Sequence, residues 1–205
     1  MLFENDYKTI LKNARAELKD RGSVFYAYAL KIESKTVFDT WLKKVKAKYP
    51  DATHHCWAYV LHPDKSECHC SDDGEPSNSA GKPILRAMQS LDLTQVGIVV
   101  VRYYGGVILG VPGLIAAYGG SAALAIEKAK VITVSISEVY EVKAQFGDEN
   151  QWYQLINNPD VAVISQEVLP DGYKAIVRCK KVDSEAMQAF FAGLFNLEIK
   201  FLYFL

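Results

Sequence analysis

Apolar and polar residues follow patterns along the first third of the chain that predict helices and strands in turn. Residues 6–20 place apolar side chains at helical spacing among charged ones, which predicts an amphipathic helix that ends at Gly22. The apolar positions of this segment are Tyr7, Ile10, Leu11, Ala14 and Leu18. Residues 24–32 are rich in aromatic and branched side chains and favour a strand. Ser34 is placed to cap a second helix, which Pro50 ends.

The middle of the chain continues this alternation. Residues 56–61 and 67–71 are predicted to form a hairpin, and a short helix is expected from Pro83 to Leu91. Residues 96–101 are a continuous run of apolar residues, mostly branched, which is typical of a strand buried on both faces. Residues 114–130 are predicted to be a helix whose many small side chains allow close packing on a sheet.

The pattern changes after about residue 131. From there the periodicity predicts strand, helix, strand, strand, helix and strand, with a turn at 170–172. The order β-α-β-β-α-β is that of a ferredoxin-like fold. We therefore predict an α+β protein of two domains, residues 1–131 and residues 132–205.

Composition excludes several classes of protein. The chain has 205 residues, half of them hydrophobic, so it is expected to fold around sizeable cores. Its formal net charge is -1, so it carries no overall basic excess that would indicate nucleic-acid binding. No apolar run reaches the roughly 18 residues that a membrane span needs. The N-terminus has no basic export signal, and the four cysteines are scattered, which predicts reduced thiols and a cytoplasmic location.

An acidic stretch at residues 72–83 carries more functional groups than a turn needs. Asp72, Asp73 and Glu75 are candidates for general acid-base groups or for ligands of a hard metal ion, with Ser77 and Lys82 nearby. The simpler alternative is a tight turn, which Asp, Gly and Pro also favour. Ser77 lacks a nucleophile motif, so this stretch predicts a binding site more strongly than a catalytic one.

A second loop follows the buried strand at residues 96–101. Arg102 and Tyr103 precede Gly105 and Gly106, an arrangement in which a guanidinium and backbone N–H groups can hold an anion. The spacing matches neither a P-loop nor a dinucleotide fingerprint. Arg102 is equally suited to pair with one of the three acids of the first stretch. The predicted ligand-binding residues are Asp72, Asp73, Glu75, Ser77, Lys82, Arg102, Tyr103, Gly105 and Gly106.

The predicted hairpin also concentrates soft metal ligands. Its histidines and cysteines are His54, His55, Cys56, His62, Cys68, His69 and Cys70. The paired C-x-x-C spacing of structural zinc sites is absent, and neighbours on a strand point to opposite faces. We therefore assign no metal and no cofactor, and we favour buried thiols with surface or capping histidines.

Three groups of residues resemble the YigZ/IMPACT family. They are residues 54–59, residues 72–77 with 80–85, and residues 99–106 with 109, 110, 113 and 114. This resemblance implies a first domain with the fold of elongation factor G domain IV and of ribosomal protein S-five, and a second domain like elongation factor G domain V. It also implies that eukaryotic relatives modulate translation through an added N-terminal domain, a role that does not transfer to this chain.

The chain departs from the family pattern at three places. Asn78 and Ser79 stand where the family usually has Gly-Thr, Pro112 stands where it has a glycine, and Ala116 stands where it has an arginine. The charge missing at Ala116 weakens the expectation of anion or RNA binding.

These observations lead to three hypotheses about function. The first is a translation-linked regulator that binds RNA or a ribosome-associated partner between the two loops, with no enzymatic activity assigned. The second is a hydrolase or metal-assisted enzyme that uses Asp72, Asp73 and Glu75. The third is a protein-protein interaction module. The oligomeric state stays open.

Overall fold

The computed structural model describes residues 5–205, which form eleven strands and five α-helices. The strands are β1 (Asp6–Ile10), β2 (Ala14–Asp20), β3 (Ser23–Lys31), β4 (His54–Leu61), β5 (Glu67–Ser71), β6 (Val96–Tyr103), β7 (Val131–Ser135), β8 (Ser137–Gln145), β9 (Val161–Leu169), β10 (Gly172–Lys180) and β11 (Glu198–Phe204). The helices are α1 (Lys35–Lys48), α2 (Gly81–Gln89), α3 (Gly110–Ala129), α4 (Glu149–Ile156) and α5 (Ser184–Ala192). Residues 7–134 form one compact unit, and residues 135–205 with residues 5 and 6 form a second.

The first unit is built on a five-stranded antiparallel sheet in the order β2-β3-β6-β4-β5. Strand β6 lies at its centre and is buried along almost its whole length, as its apolar run predicts. Helices α2 and α3 cover one face of the sheet, and α1 packs on the other against β4 and β6. The predicted cap of α1 is confirmed, because the Ser34 hydroxyl accepts a hydrogen bond from the Val37 N–H at 3.3 Å.

The sheet topology explains why two distant sequence motifs meet. Strands β5 and β6 both run antiparallel to β4 and therefore parallel to each other, so their C-terminal ends lie at the same end of the sheet's strands. The acidic loop (residues 72–80) follows β5, and the glycine-rich loop (residues 104–109) follows β6. Only the start of β4, at His54, lies between them in the sheet.

The helix predicted for residues 6–20 is wrong. The structure places strands β1 and β2 there, and β2 forms a hairpin with β3 across the two-residue turn Arg21-Gly22. Both turn residues have positive φ, +42° and +79°, as this tight hairpin turn requires. Ala14 and Leu18 are four residues apart and fit a helical period, but together with Ala16 they also fit a strand alternation. The glycine that looked like a helix end belongs to the hairpin turn.

The second unit has the predicted order of elements. Its sheet runs β11-β8-β10-β9, with all neighbours antiparallel. Helices α4 and α5 contribute Trp152, Leu155 and Met187 to a core that also contains the inward residues of β8 and β10. This arrangement is the ferredoxin-like βαββαβ topology.

No helix within residues 5–205 combines the length and the apolar character that crossing a membrane demands.

Candidate functional site

Asp72 closes the acidic loop and holds the start of helix α2. Its carboxylate accepts hydrogen bonds from the backbone N–H groups of Asn78 at 2.8 Å, Ala80 at 3.0 Å and Gly81 at 2.8 Å. The first N–H groups of a helix have no partner inside the helix, and no side chain of the cap residue Ala80 supplies one. Asp72 therefore acts as a remote cap for α2, which favours a negative charge at that end.

Asp73 ties the same loop to strand β4 and helix α1. Its carboxylate accepts hydrogen bonds from the His55 N–H at 2.7 Å and from the Lys46 ammonium at 3.1 Å. Its carbonyl oxygen lies 2.8 Å from Nδ1 of His54. The backbone of Asp73 has a φ of +43°, a conformation that Asp tolerates better than most residues.

Glu75 and Arg102 form a buried ion pair, so the structure resolves the choice of partner that the sequence left open. Oε1 of Glu75 accepts hydrogen bonds from Nη1 of Arg102 at 2.5 Å and from the Tyr118 hydroxyl at 2.8 Å. Both charged side chains are almost completely buried, with 6% and 4% of the Arg102 and Glu75 side chains exposed. Burial raises the pKa of Tyr118, so its hydroxyl stays protonated and donates to Glu75.

A cavity of about 340 Å³ lies above this ion pair in the first unit. Its floor includes the polar side chains of Thr53, His54, Glu75 and Arg102. The Nε–H group of Arg102 is buried and has no acceptor within residues 5–205. The remaining wall is mostly apolar and comes from Pro76 of the acidic loop, from the glycine-rich loop and from the start of α3. The cavity thus has a neutralised polar floor and an apolar opening.

We define the rim of this cavity as Tyr104, Ile108 and Val111, which all line it. All three are exposed, and Ile108 exposes 80% of its surface. Exposed apolar side chains grouped at a concave site are typical of a surface that binds a partner or an apolar ligand.

The predicted residues of the glycine-rich loop do not act together. Tyr103 points away from Arg102, because neighbours on a strand face opposite sides, and its ring packs near Tyr26 and Tyr49 at 6.2 and 6.4 Å. A Cβ on Gly105 would lie 1.8 Å from the Gly22 carbonyl carbon. The close approach of the two backbones therefore requires glycine at this position, whether or not the residue binds a ligand. Gly106 has open space around it and a φ of +84°.

Ser77 and Lys82 are exposed. Neither is among the residues that line the cavity.

The three acids do not converge on one point, because each carboxylate is bound to a different set of protein donors. Within residues 5–205 no three histidine, cysteine or acidic side chains are arranged to hold a metal ion. In the hairpin, Cys56 donates from Sγ to the Asp72 carbonyl oxygen at 3.0 Å, and His55 Nε2 lies 3.0 Å from the Tyr49 carbonyl oxygen. Burial raises the pKa of Cys56 and lowers that of His55, so both groups are held uncharged.

Sequence reasoning missed three contributors to this site. His54 lines the cavity and brings Nε2 to 3.9 Å from Oε1 of Glu75. Tyr118 arrives from α3, and Ile108 forms the most exposed part of the rim. The signals for these residues were the place of His54 in the family-like group 54–59 and, for Ile108, an apolar run inside a loop, residues 107–109, where polar residues are the usual choice.

The comparisons with known proteins agree with the sequence motifs. The family model of the Impact N-terminal domain matches residues 21–126, just over half of the chain. The chain belongs to the IMPACT family. It is 38% identical over 125 residues to an IMPACT family member of Haemophilus influenzae, covering 60% of this chain and 61% of the relative. It is 43% identical over 104 residues to the IMPACT family member YigZ of Escherichia coli, covering half of each. The matched regions thus span less than two thirds of either relative.

A solved crystal structure of a hypothetical protein has the same fold. It is 25% identical to this IMPACT family chain, has a TM-score of 0.72 and covers 98% of both chains. This likeness supports the mixed α/β architecture along the whole length and assigns no activity.

The departures from the IMPACT pattern in the acidic loop leave its geometry intact. Asn78 has a φ of +64°, a region where glycine is favoured and asparagine is tolerated. Ser79 is buried and donates its hydroxyl to the Pro76 carbonyl oxygen at 2.6 Å, and threonine carries the same kind of hydroxyl donor. Pro112 and Ala116 lie exposed on α3, so neither disturbs the core.

Proposed function

We propose that the chain is a translation-linked regulator and that its cavity binds a ribosome-associated protein. The observation that carries this proposal is that exposed apolar side chains surround a cavity whose two charged groups, Glu75 and Arg102, pair with each other. The link to translation comes from the family resemblance, and the likeness of the two units to domains IV and V of elongation factor G stays a prediction that agrees with a ribosomal site of action.

A protein partner suits the cavity better than an RNA phosphate does. The charge of Arg102 is already compensated by Glu75 at 2.5 Å, so a second anion would compete with a buried carboxylate. Among residues 5–205, no lysine lines the cavity. Apolar side chains that enter a pocket surrounded by exposed apolar residues are, in contrast, the usual centre of a protein interface. We therefore expect an apolar side chain of the partner to enter between the rim and Pro76.

The hydrolase hypothesis gains no support from the geometry. The carboxylates of Asp72 and Asp73 accept hydrogen bonds from backbone N–H groups and, for Asp73, from a lysine, and Glu75 is bound to Arg102 and Tyr118. A general acid or base needs a position within hydrogen-bond reach of a substrate proton, and these carboxylates are occupied by structural donors.

Co-sedimentation with ribosomes tests the proposal. Wild type, Ile108→Asp and Val168→Asp are each added to ribosomes with their associated factors and, separately, to salt-washed ribosomes. Val168 is a matched control, because it is an exposed apolar residue of the second unit with 72% of its surface accessible.

We expect wild type and Val168→Asp to sediment with the factor-containing ribosomes. Ile108→Asp should bind at least about 30-fold more weakly, the loss expected at the centre of an interface. Absence of wild type from the ribosomal fraction, or equal sedimentation of the Ile108→Asp variant, contradicts the proposal.

A further inference from the structure

A group of tyrosines lies on the other face of the first unit's sheet, away from the cavity. Tyr26 and Tyr28 alternate along β3 and point to the face that carries α1, Tyr103 follows from the end of β6, and Tyr49 comes directly after α1. We call Tyr26, Tyr28, Tyr49 and Tyr103 the tyrosine face. All four are half-buried, so part of each side chain stays accessible.

The four rings form one connected surface. The rings of Tyr26 and Tyr49 are stacked with centroids 5.7 Å apart, and Tyr103 stands edge-on to both at 6.2 and 6.4 Å. Tyr28 is 6.0 Å from Tyr49, and their hydroxyl groups are hydrogen-bonded. Such contacts fix ring orientations before any ligand arrives, which reduces the entropy lost on binding.

Cations border the tyrosine face on two sides. From β2, the Arg15 guanidinium lies 4.4 Å from the centroid of the Tyr26 ring and 5.9 Å from that of Tyr28. From α1, the Lys48 ammonium lies 5.7 Å from the Tyr28 ring and 5.4 Å from the Tyr49 ring. Lys44 lies one helical turn before Lys48 on the same side of α1.

Two acids within residues 5–205 share this surface with the cations. Asp51 is one of them, because burial and then the charge of Asp51 raise the pKa of Tyr103. Glu17 of β2 lies 3.8 Å from Arg15 and 3.4 Å from Lys19. Arg15, Glu17 and Lys19 are all exposed on β2, so this strand adds a net positive charge to the edge of the tyrosine face. Together with Lys44 and Lys48, the surroundings of the four rings favour an anionic ligand.

We propose that the tyrosine face binds single-stranded RNA, with unpaired bases stacking on tyrosine rings and on the Arg15 guanidinium while Lys44, Lys48 and Lys19 contact phosphates. Partly accessible aromatic rings on a sheet face bordered by cations are what recognition of unpaired bases requires, because every base has a stacking face. A base pair in a duplex keeps these faces covered. The choice of RNA over DNA rests on the proposed link to translation.

This surface is separate from the cavity. Arg102 and Tyr103 are neighbours on β6 and point to opposite faces, the first toward α3 and the second toward the tyrosine face. RNA binding and partner binding therefore depend on different side chains, and a variant of one surface should leave the other function intact.

Fluorescence anisotropy with a labelled, uridine-rich oligoribonucleotide of about ten nucleotides tests the proposal on the full chain, since single-strand sites of small domains are about this size. Tyr26→Leu removes one stacking ring and should weaken binding by between about 5-fold and 150-fold. Tyr26→Phe keeps the ring and should bind within about two-fold of wild type. Tyr153→Leu, an exposed tyrosine of the second unit, is the matched control and should leave binding unchanged.

The charge contribution is tested by salt dependence. Lys48→Gln should lower the slope of log K against log salt by about 0.7, the value for one phosphate contact on a single strand. Lys43→Gln makes the same charge change on an exposed residue of α1 outside the stripe of Lys44 and Lys48, and should leave the slope unchanged.

Circular dichroism confirms that each variant is folded. No binding by wild type at low salt, wild-type affinity of folded Tyr26→Leu, or equal slopes for the two lysine variants would overturn the proposal. Binding of the corresponding deoxyoligonucleotide without binding of the RNA would overturn the choice of RNA. Loss of RNA binding in Ile108→Asp would overturn the separation from the cavity.

Discussion

Replacing Arg102 by methionine should destabilise the first unit by about 3–5 kcal/mol, because it leaves the charge of Glu75 buried and uncompensated. The Glu75 side chain is only 4% exposed. After the substitution, the Tyr118 hydroxyl is the one hydrogen-bond donor left to this carboxylate within residues 5–205, and His54 Nε2 is 3.9 Å away. Methionine fills the stem volume of the arginine, so a cavity contributes little to this loss.

The double variant Arg102→Met, Glu75→Gln separates lost charge pairing from lost packing. Both charges are then absent, and the glutamine oxygen still accepts from Tyr118, so we expect a loss of only about 1–2 kcal/mol. The double variant should therefore be more stable than Arg102→Met alone. Arg86→Met, on the exposed side of α2, is the matched control and should change stability by less than about 0.5 kcal/mol.

Urea unfolding in a Trp152→Phe background provides the assay. The chain has three tryptophans, and this substitution leaves Trp41 and Trp57, both in the first unit, as the only sources of tryptophan fluorescence. The signal then follows one unit, for which two-state analysis is reasonable. If Arg102→Met costs less than about 1 kcal/mol, or if the double variant is no more stable than the single one, Glu75 does not hold Arg102 as described.

Three further predictions test other parts of the structure. Gly105→Ala should lower the free energy of unfolding by more than about 3 kcal/mol in the same urea assay, since its Cβ would overlap the Gly22 backbone at 1.8 Å. Gly106→Ala has open space for its Cβ and should cost about 1 kcal/mol because of its positive φ. Equal losses would contradict this packing. Burial lowers the pKa of His55, so its contribution to stability is present above the ordinary value of 6.5 and is lost as the pH falls through the lowered folded value, because the unfolded imidazole takes up the proton first. His55→Gln should therefore flatten the pH dependence of the urea midpoint below about pH 6.5. An unchanged profile would assign the dependence to other groups. Alkylation followed by mass spectrometry should modify exposed Cys68 quickly and Cys179 slowly, because burial raises the pKa of Cys179 to about 11; similar rates would show that the second core opens readily.

The position of the candidate site was predictable from the sequence because it depends on strand order. The apolar run of β6 and the hairpin of β4 and β5 were recognised correctly, and strands that leave a sheet at one edge bring their loops together. The identity of the acid that pairs with Arg102 was not predictable, because Asp72, Asp73 and Glu75 lie within four residues and differ only in which way the loop turns them.

Other parts of the structure were beyond the sequence for a different reason. Residues 6–20 satisfy a helical period and a strand alternation at once, and only pairing with β3 decides between them. The tyrosine face draws residues from β3, β6 and the end of α1, so no local pattern announces it.

The close contact between Gly22 and Gly105 also limits how the chain can evolve. A Cβ on Gly22 would lie 2.7 Å from the Gly105 carbonyl oxygen, and a Cβ on Gly105 would meet the Gly22 backbone. The nearest opposing atoms at both positions are therefore backbone atoms, which no compensating mutation can shrink. We expect a library randomised at both positions to return almost only the parental pair. Diversity in the loops of this site should instead accumulate at positions such as Gly106 and Asn78, where the backbone tolerates exchange between glycine and asparagine.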